Sequence, residues 1–168
     1  TLNREISTGY AVYIADDDFL VPNAISSCIS FLDTRPDYVA AHGIGVLIGS
    51  HTGDANTIES ASFYRQPVLE EVTASRRFCS HLQNNTVSHF SVHRTEIWRK
   101  IFENAPEPSR HPRCSDKTFG DEMLQCGLSA VYGKIKQLDH LYLARQIHSA
   151  RYHQSEWFDW IINENWYP

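Results

Sequence analysis

The stretch YAVYIADDDFLVP, at residues 10–22, carries the strongest structural signal in the chain. Its first part, residues 10–14, is rich in aromatic and β-branched side chains and is predicted to form a short buried strand. Three consecutive carboxylates, Asp16, Asp17 and Asp18, follow directly. Adjacent carboxylates repel one another, so their proximity costs free energy unless a cation or a set of donors compensates. The alternative is a solvated acidic turn, and these three residues alone do not choose between the two interpretations.

The position of the acidic triplet favours a ligand site. Crevices that bind ligands form at the carboxyl ends of buried strands in α/β sheets. Carboxylate oxygens are hard ligands and suit Mg²⁺ or Mn²⁺, the ions that accompany phosphates. We therefore expect a divalent metal at the end of this strand.

Hydrophobic periodicity places further helices and strands along the chain. In the segment predicted to form a helix from Thr73, Phe78 and Leu82 should form the apolar face, and Thr95 should cap another helix. His89 and His93, four apart on a predicted strand, would be separated by about 13 Å, too far to share a metal ion. Helices are predicted at 22–33, 73–82, from 95 onward and at 155–165; strands or extended segments are predicted at 38–48, 63–69, 87–93, 130–135 and 138–143.

Composition narrows the functional classes. The chain has 168 residues, which is enough for one domain with a core. Its formal net charge is −5 and its sequence shows no basic stripe, which argues against a nucleic-acid partner. No apolar run approaches the roughly 20 residues that span a bilayer. The four cysteines are far apart and form no Cys-x-x-Cys pair, which argues against a structural zinc site and fits a reducing cytoplasm.

The stretch TGYAVYIADDDFLVP resembles the DXD region of GT-A glycosyltransferases, particularly the large inverting family 2 group. The resemblance implies that Asp18 is a direct metal ligand and that Asp16 faces the ribose or shares the metal site. Asp17 would join the nucleotide-sugar site. The implied cofactor is Mn²⁺ or Mg²⁺.

A second acidic element, FGDEMLQCG at residues 119–127, resembles the E-D-x-x-L…G element that supplies the catalytic base in inverting members. The order of the two carboxylates is reversed here, so the choice between Asp121 and Glu122 stays open, with Glu122 at the position of the family's basic aspartate. The structural alternative is a pair of carboxylates in a first helical turn, where the helix dipole favours them.

Two basic segments complete the resemblance. The run LARQIHSARYH resembles the family's C-terminal stretch that returns to the diphosphate, so Arg145 would bind phosphate and His148 would complete the metal shell. The two residues would share a face if the stretch is helical. Arg94, in FSVHRTEIW, resembles an acceptor-side residue, although a surface salt bridge is the preferred interpretation.

The resemblance implies an α/β fold, specifically a partial GT-A (Rossmann-like) fold with a mixed sheet flanked by helices. Residues 1–168 would form a single domain, the acceptor-side portion of a GT-A domain that lacks the N-terminal nucleotide-binding half. The implied function is metal-dependent transfer of a sugar, with inversion, from a nucleotide-diphosphate sugar to a carbohydrate or lipid-linked acceptor. The implied location is the cytoplasm, free or at the membrane surface.

Two other functions compete with glycosyl transfer. The first is a non-catalytic GT-A fragment that binds a partner or forms a homodimer through an exposed sheet edge. The second is a Mg²⁺-dependent phosphate hydrolase, which the sequence does not support because it contains no glycine-rich phosphate loop.

Overall fold

The computed structural model describes residues 5–49, 58–84, 86–103 and 124–147. Within them the chain forms four helices and six strands. The helices are α1 (Pro22–Thr34), α2 (Ala74–Asn84), α3 (Thr95–Glu103) and α4 (Leu124–Tyr132). The strands are β1 (Tyr10–Ala11), β2 (Asp18–Leu20), β3 (Tyr38–Gly49), β4 (Ser60–Tyr64), β5 (Val92–Arg94) and β6 (Lys134–Ile147).

The strands form one mixed sheet in the order β1-β5-β3-β6-β2, and β4 pairs with the second half of β3. The central strands β3 and β6 run parallel, whereas β1–β5, β2–β6, β3–β4 and β3–β5 are antiparallel pairs. Helices pack on both sides of this sheet. The α/β fold class with a mixed sheet flanked by helices is therefore confirmed.

The core is divided by the sheet into two apolar clusters. Successive strand residues point to opposite faces, so Ala40 and Ala41, adjacent on β3, belong to different clusters. Ala41 lies with the buried residues of α1, and Ala40 lies with those of α3 and α4. The α1 cluster contains Leu20, Ala24, Cys28, Leu32, Tyr38, Ala41, Phe90, Val92, Tyr142 and Leu143. The predicted helix at 22–33 and the predicted strand at 38–48 are both confirmed within one residue at each end.

The strand predicted at 10–14 is wrong in extent. Strand β1 ends at Ala11, and Tyr13 and Ile14 are 51% and 41% exposed. Since β1 and β2 lie at opposite edges of the sheet, the chain must cross four strand spacings, about 19 Å, between them. The residues between Ala11 and Asp18 span about that length when extended. They form this crossing, and Asp18 opens a new strand.

The strands predicted at 87–93 and 130–135 are wrong in extent, whereas the one predicted at 138–143 lies within β6 and is confirmed. Only Val92–Arg94 forms a strand within the predicted 87–93 segment, because the Ser91 N–H donates to the Ser88 carbonyl at 3.0 Å and closes a turn. The strand geometry used to separate His89 from His93 therefore does not exist. Helix α4 extends through Tyr132, and a single strand follows from Lys134 to Ile147.

The stretch around Arg145 is a strand as far as Ile147. His148 lies outside the described residues, so a shared face with Arg145 stays a prediction.

The apolar face predicted for α2 is also wrong. Phe78 and Leu82 are 37% and 53% exposed, whereas Arg77 and His81 are buried. The Arg77 guanidinium donates to the carbonyls of Ala130 at 2.8 Å and Val131 at 3.1 Å, near the end of α4. A cation at a helix C-terminus satisfies unpaired carbonyls and complements the helix dipole, which explains why α2 buries its polar side.

Of the two threonines predicted to cap helices, Thr73 does so and Thr95 does not. The Thr73 hydroxyl accepts the Arg76 backbone N–H at 3.4 Å and caps α2 as predicted. The Thr95 hydroxyl is buried without a partner in the described residues and caps nothing, so that prediction is wrong. None of the helices in these residues has the length and apolar character needed to cross a membrane.

Candidate functional site

Two residues predicted separately from the sequence meet in the structure. Asp18 opens β2, and Arg145 lies directly opposite it on β6 in the antiparallel register. The Arg145 Nε–H donates to Asp18 Oδ2 at 2.8 Å, which joins residues 127 positions apart in the chain. The β2–β6 register brings the acidic triplet and the basic C-terminal segment together.

The Asp18 carboxylate is almost completely enclosed. Its side chain is 1% exposed, and Oδ1 is buried with no hydrogen-bond partner among the described residues. Burial raises the pKa of Asp18, and the neighbouring Asp17 adds to the rise; Arg145 and the Gln146 backbone N–H act in the opposite direction. A buried oxygen that lacks a donor is costly, so this atom is the clearest point in the site at which a ligand would gain free energy.

The Arg145 guanidinium sits against two aromatic rings on the same face of the sheet. Its central carbon lies 4.3 Å from the Phe90 ring centroid and 4.8 Å from that of Tyr64. These distances fall within the range of cation–π contacts. Phe90 and Tyr64 were not predicted as site residues, because nothing in their local sequence indicates that the 88–91 turn and strand β4 bring them to Arg145.

The other two carboxylates of the triplet lie outside the ion pair. Asp16 is exposed and Asp17 half-buried, both in the turn before β2. In the described part of the chain no group of three or more His, Cys, Asp or Glu side chains is placed to hold a metal. The chemistry of Asp16 and of Asp18 Oδ1 fits Mn²⁺ or Mg²⁺, since both offer carboxylate oxygens.

Arg94 has a role that differs from the surface salt bridge preferred in the sequence interpretation. Its guanidinium donates to the backbone carbonyls of Tyr38 at 2.9 Å and Arg35 at 3.2 Å, and also to that of Leu32. These bonds fasten the end of α1 to the start of β3. Acceptor binding by Arg94 stays a prediction.

Three of the predicted site residues, Asp121, Glu122 and His148, lie outside the described residues. Helix α4 begins two residues after Glu122, and Gln125 in its first turn forms a hydrogen bond with the His89 side chain. Burial lowers the pKa of His89 to about 4, so its imidazole is neutral at pH 7. His89 adjoins Phe90, so the 88–91 turn connects the start of α4 to the Arg145 pair.

Comparisons with known proteins do not assign the chain to a family. No protein-family model matches it, and no curated protein matches it. Among solved structures, TarS of S. aureus, a glycosyltransferase, has a similar backbone with a TM-score of 0.44 and 13% sequence identity. The match covers 86% of this chain and 23% of the TarS chain. A likeness this low carries no argument about activity, so function has to be argued from the residues of the site.

Proposed function

We propose that the chain is part of an inverting, metal-dependent GT-A glycosyltransferase of the family 2 type. The observation that carries this proposal is the pairing of Asp18 with Arg145. Both were singled out from the sequence for one diphosphate site. Arg145 Nε lies 2.8 Å from Asp18 Oδ2, and Asp18 Oδ1 has no hydrogen-bond partner in the part of the chain that the structure describes. The substrates would be a nucleotide-diphosphate sugar and a carbohydrate or lipid-linked acceptor.

The donor site would use the two sides of the ion pair differently. Arg145 would bind the diphosphate, because a guanidinium offers forked N–H donors that match phosphate oxygens. Asp16 and Asp17 would lie nearer solvent, with Asp16 toward the ribose. Asp18 would hold Arg145 through Oδ2 and leave Oδ1 for the metal.

The metal would be Mn²⁺ or Mg²⁺, held by Asp18 Oδ1, Asp16 and His148. When bound, such an ion neutralises charge that develops on a diphosphate leaving group. The exposed Asp16 and the enclosed Asp18 would give the site one accessible and one fixed ligand.

The acceptor hydroxyl would be deprotonated by Glu122 or Asp121, with Glu122 preferred from the family pattern. A general base must come within about 2.6–3.2 Å of the hydroxyl in the productive complex. Helix α4 begins at Leu124, two residues after Glu122. Residues 1–168 would then form the acceptor-side portion of a GT-A domain, with Arg94 as a candidate acceptor contact.

Calorimetric titration of UDP and of GDP, each with and without Mn²⁺, tests the donor site. We expect Mn²⁺-dependent binding by the wild type that Asp18→Asn weakens at least about tenfold, since Asn retains the shape but loses the charge. Asp139→Asn, an exposed aspartate on the same strand as Arg145, is the matched control. Glu122→Gln should keep this binding and lose sugar transfer. Absence of nucleotide binding by the wild type would refute a donor site in this chain.

A non-catalytic module that self-associates is the second candidate, favoured by an apolar row across the sheet. Phe19, Ala144, Val46 and Phe63 are directly paired neighbours on β2, β6, β3 and β4. Phe19 is 60% exposed and Phe63 is 79% exposed. Sedimentation velocity over a concentration series would detect a homodimer through this row. Phe63→Ser should then abolish the homodimer, and Val72→Ser, which also changes an exposed apolar residue, should not.

A further inference from the structure

The rings of Tyr64 and Phe90 form a corner around Arg145. Their centroids are 6.1 Å apart with the planes tilted by 76°, and the guanidinium carbon lies 4.8 Å and 4.3 Å from them. These three distances place the rings at about a right angle as seen from that carbon. The guanidinium is therefore bounded on two sides by aromatic rings and on a third by Asp18.

Each ring is held in place by its own surroundings. The Phe90 carbonyl accepts the buried Tyr142 hydroxyl at 2.6 Å, and Phe90 itself is 5% exposed. Tyr64 can lie over β3 because its strand partner is Gly45: an added Cβ there would be 3.1 Å from Tyr64 Cδ1. The corner is thus built by three strands and the 88–91 turn.

This arrangement leaves one edge of Arg145 for a ligand. Nε is committed to Asp18, and the structure shows no hydrogen bond from either Nη atom to the described residues. The side chain is 15% exposed. Because the Asp18 carboxylate balances the positive charge, an anion would gain mainly from correctly directed N–H donors, and the orientation of the guanidinium would matter more than its charge.

We propose that Tyr64 and Phe90 are positioning residues, and that their corner holds the Nη edge of Arg145 toward a phosphoryl-bearing ligand. The proposal rests on the proposed donor site and extends it, since it makes affinity depend on two aromatic residues that need not touch the ligand. A lysine at position 145 has no planar fork to be held by the corner.

Two probes test the corner: UDP with Mn²⁺, and inorganic pyrophosphate without metal, each titrated calorimetrically. We expect Tyr64→Leu to weaken binding about tenfold, the value of a well-packed cation–π contact. Tyr64→Phe, which keeps the ring and loses the hydroxyl, should stay within about twofold of wild type. Phe63→Leu is the matched control, because Phe63 is the next residue on β4 and points to the other face of the sheet. Near-ultraviolet circular dichroism confirms that each variant is folded.

The distinguishing measurement repeats Tyr64→Leu in an Arg145→Lys background. If Tyr64 acts by orienting Arg145, its loss should weaken binding less than about twofold there, because the oriented group is already gone. An equal loss of affinity in both backgrounds, or wild-type affinity in Tyr64→Leu, would refute the positioning role of Tyr64 and would leave the donor site intact.

Failure of the proposed function has a different signature. Binding of pyrophosphate but not of UDP with Mn²⁺, with the Tyr64 effect retained, would uphold the corner and refute the nucleotide-sugar site. Binding of neither probe by the wild type would overturn both.

Discussion

Replacing Asp18 and replacing Arg145 should change the free energy of unfolding by different amounts, although the two residues form one ion pair. Burial raises the pKa of Asp18 even with Arg145 beside it, so the charged form of this side chain is less favourable, relative to its neutral form, in the folded protein than in the unfolded chain. Asp18→Asn mimics that neutral form, and we expect it to be at least as stable as wild type at pH 7. Arg145→Met leaves a carboxylate that is 1% exposed without its counterion. Such a loss costs about 3 kcal/mol.

The pH dependence follows from the same argument. Because the folded pKa of Asp18 is raised, its contribution to stability is complete below the unfolded pKa and is lost as the pH rises through the folded pKa. The stability of Asp18→Asn relative to wild type should therefore increase as the pH rises from acidic to neutral. Asp37→Asn is a control of opposite sign, since the hydrogen bond from Lys134 lowers the pKa of Asp37.

Urea unfolding at three pH values, followed by tryptophan fluorescence and circular dichroism, measures these differences. The double variant Asp18→Asn with Arg145→Met should recover most of the loss of Arg145→Met, because no buried charge remains unpaired. The reasoning would be refuted if Asp18→Asn lost about as much stability as Arg145→Met, since the pair would then be stabilising through its charge despite burial.

Three further outcomes are expected. Arg77→Ala should lose about 3 kcal/mol in urea unfolding, because it removes charged hydrogen bonds to the carbonyls of α4, and the exposed neighbour Arg76→Ala should lose less than about 0.5 kcal/mol. Gly133→Ala should cost about 2 kcal/mol, since its Cβ would lie 2.3 Å from Val39 Cγ1; a thermal melt should show partial rescue by Val39→Ala. Burial lowers the pKa of His93 to about 3, so wild-type stability should fall as the pH drops from 6.5 toward 3, and His93→Gln should flatten that slope. A stability that is flat over this range would contradict the prediction.

The local hydrophobic pattern correctly predicted the elements that are buried by apolar packing alone. In α1 the apolar residues recur at helical spacing around Cys28 and Leu32, and β3 is a nearly continuous apolar run. Helix α1 buries one face against the sheet, and β3 is a central strand buried on both faces, so the predictions and the structure agree. In α2 the pattern misled, because Arg77 is buried by hydrogen bonds to another helix rather than by apolar packing.

The site divides in the same way. The acidic triplet and Arg145 are conspicuous in the sequence, and a family resemblance relates them to one diphosphate. Tyr64 and Phe90 carry no such signal, since an aromatic residue in an apolar segment is ordinarily part of a core. Their part in the site depends on Gly45 and Tyr142, which lie on other strands.

Composition and periodicity alone determined the helix at 22–33, the strand at 38–48 and the residue types available for a metal or phosphate, whereas the α/β class was an expectation from the family resemblance. These features depend on neighbours within a few turns or strand residues, which local sequence specifies. Only the tertiary structure decided that β1 and β2 lie at opposite edges of the sheet and that Asp18 faces Arg145. The register of strands far apart in the chain depends on how all of them pack together, and no local segment contains that information.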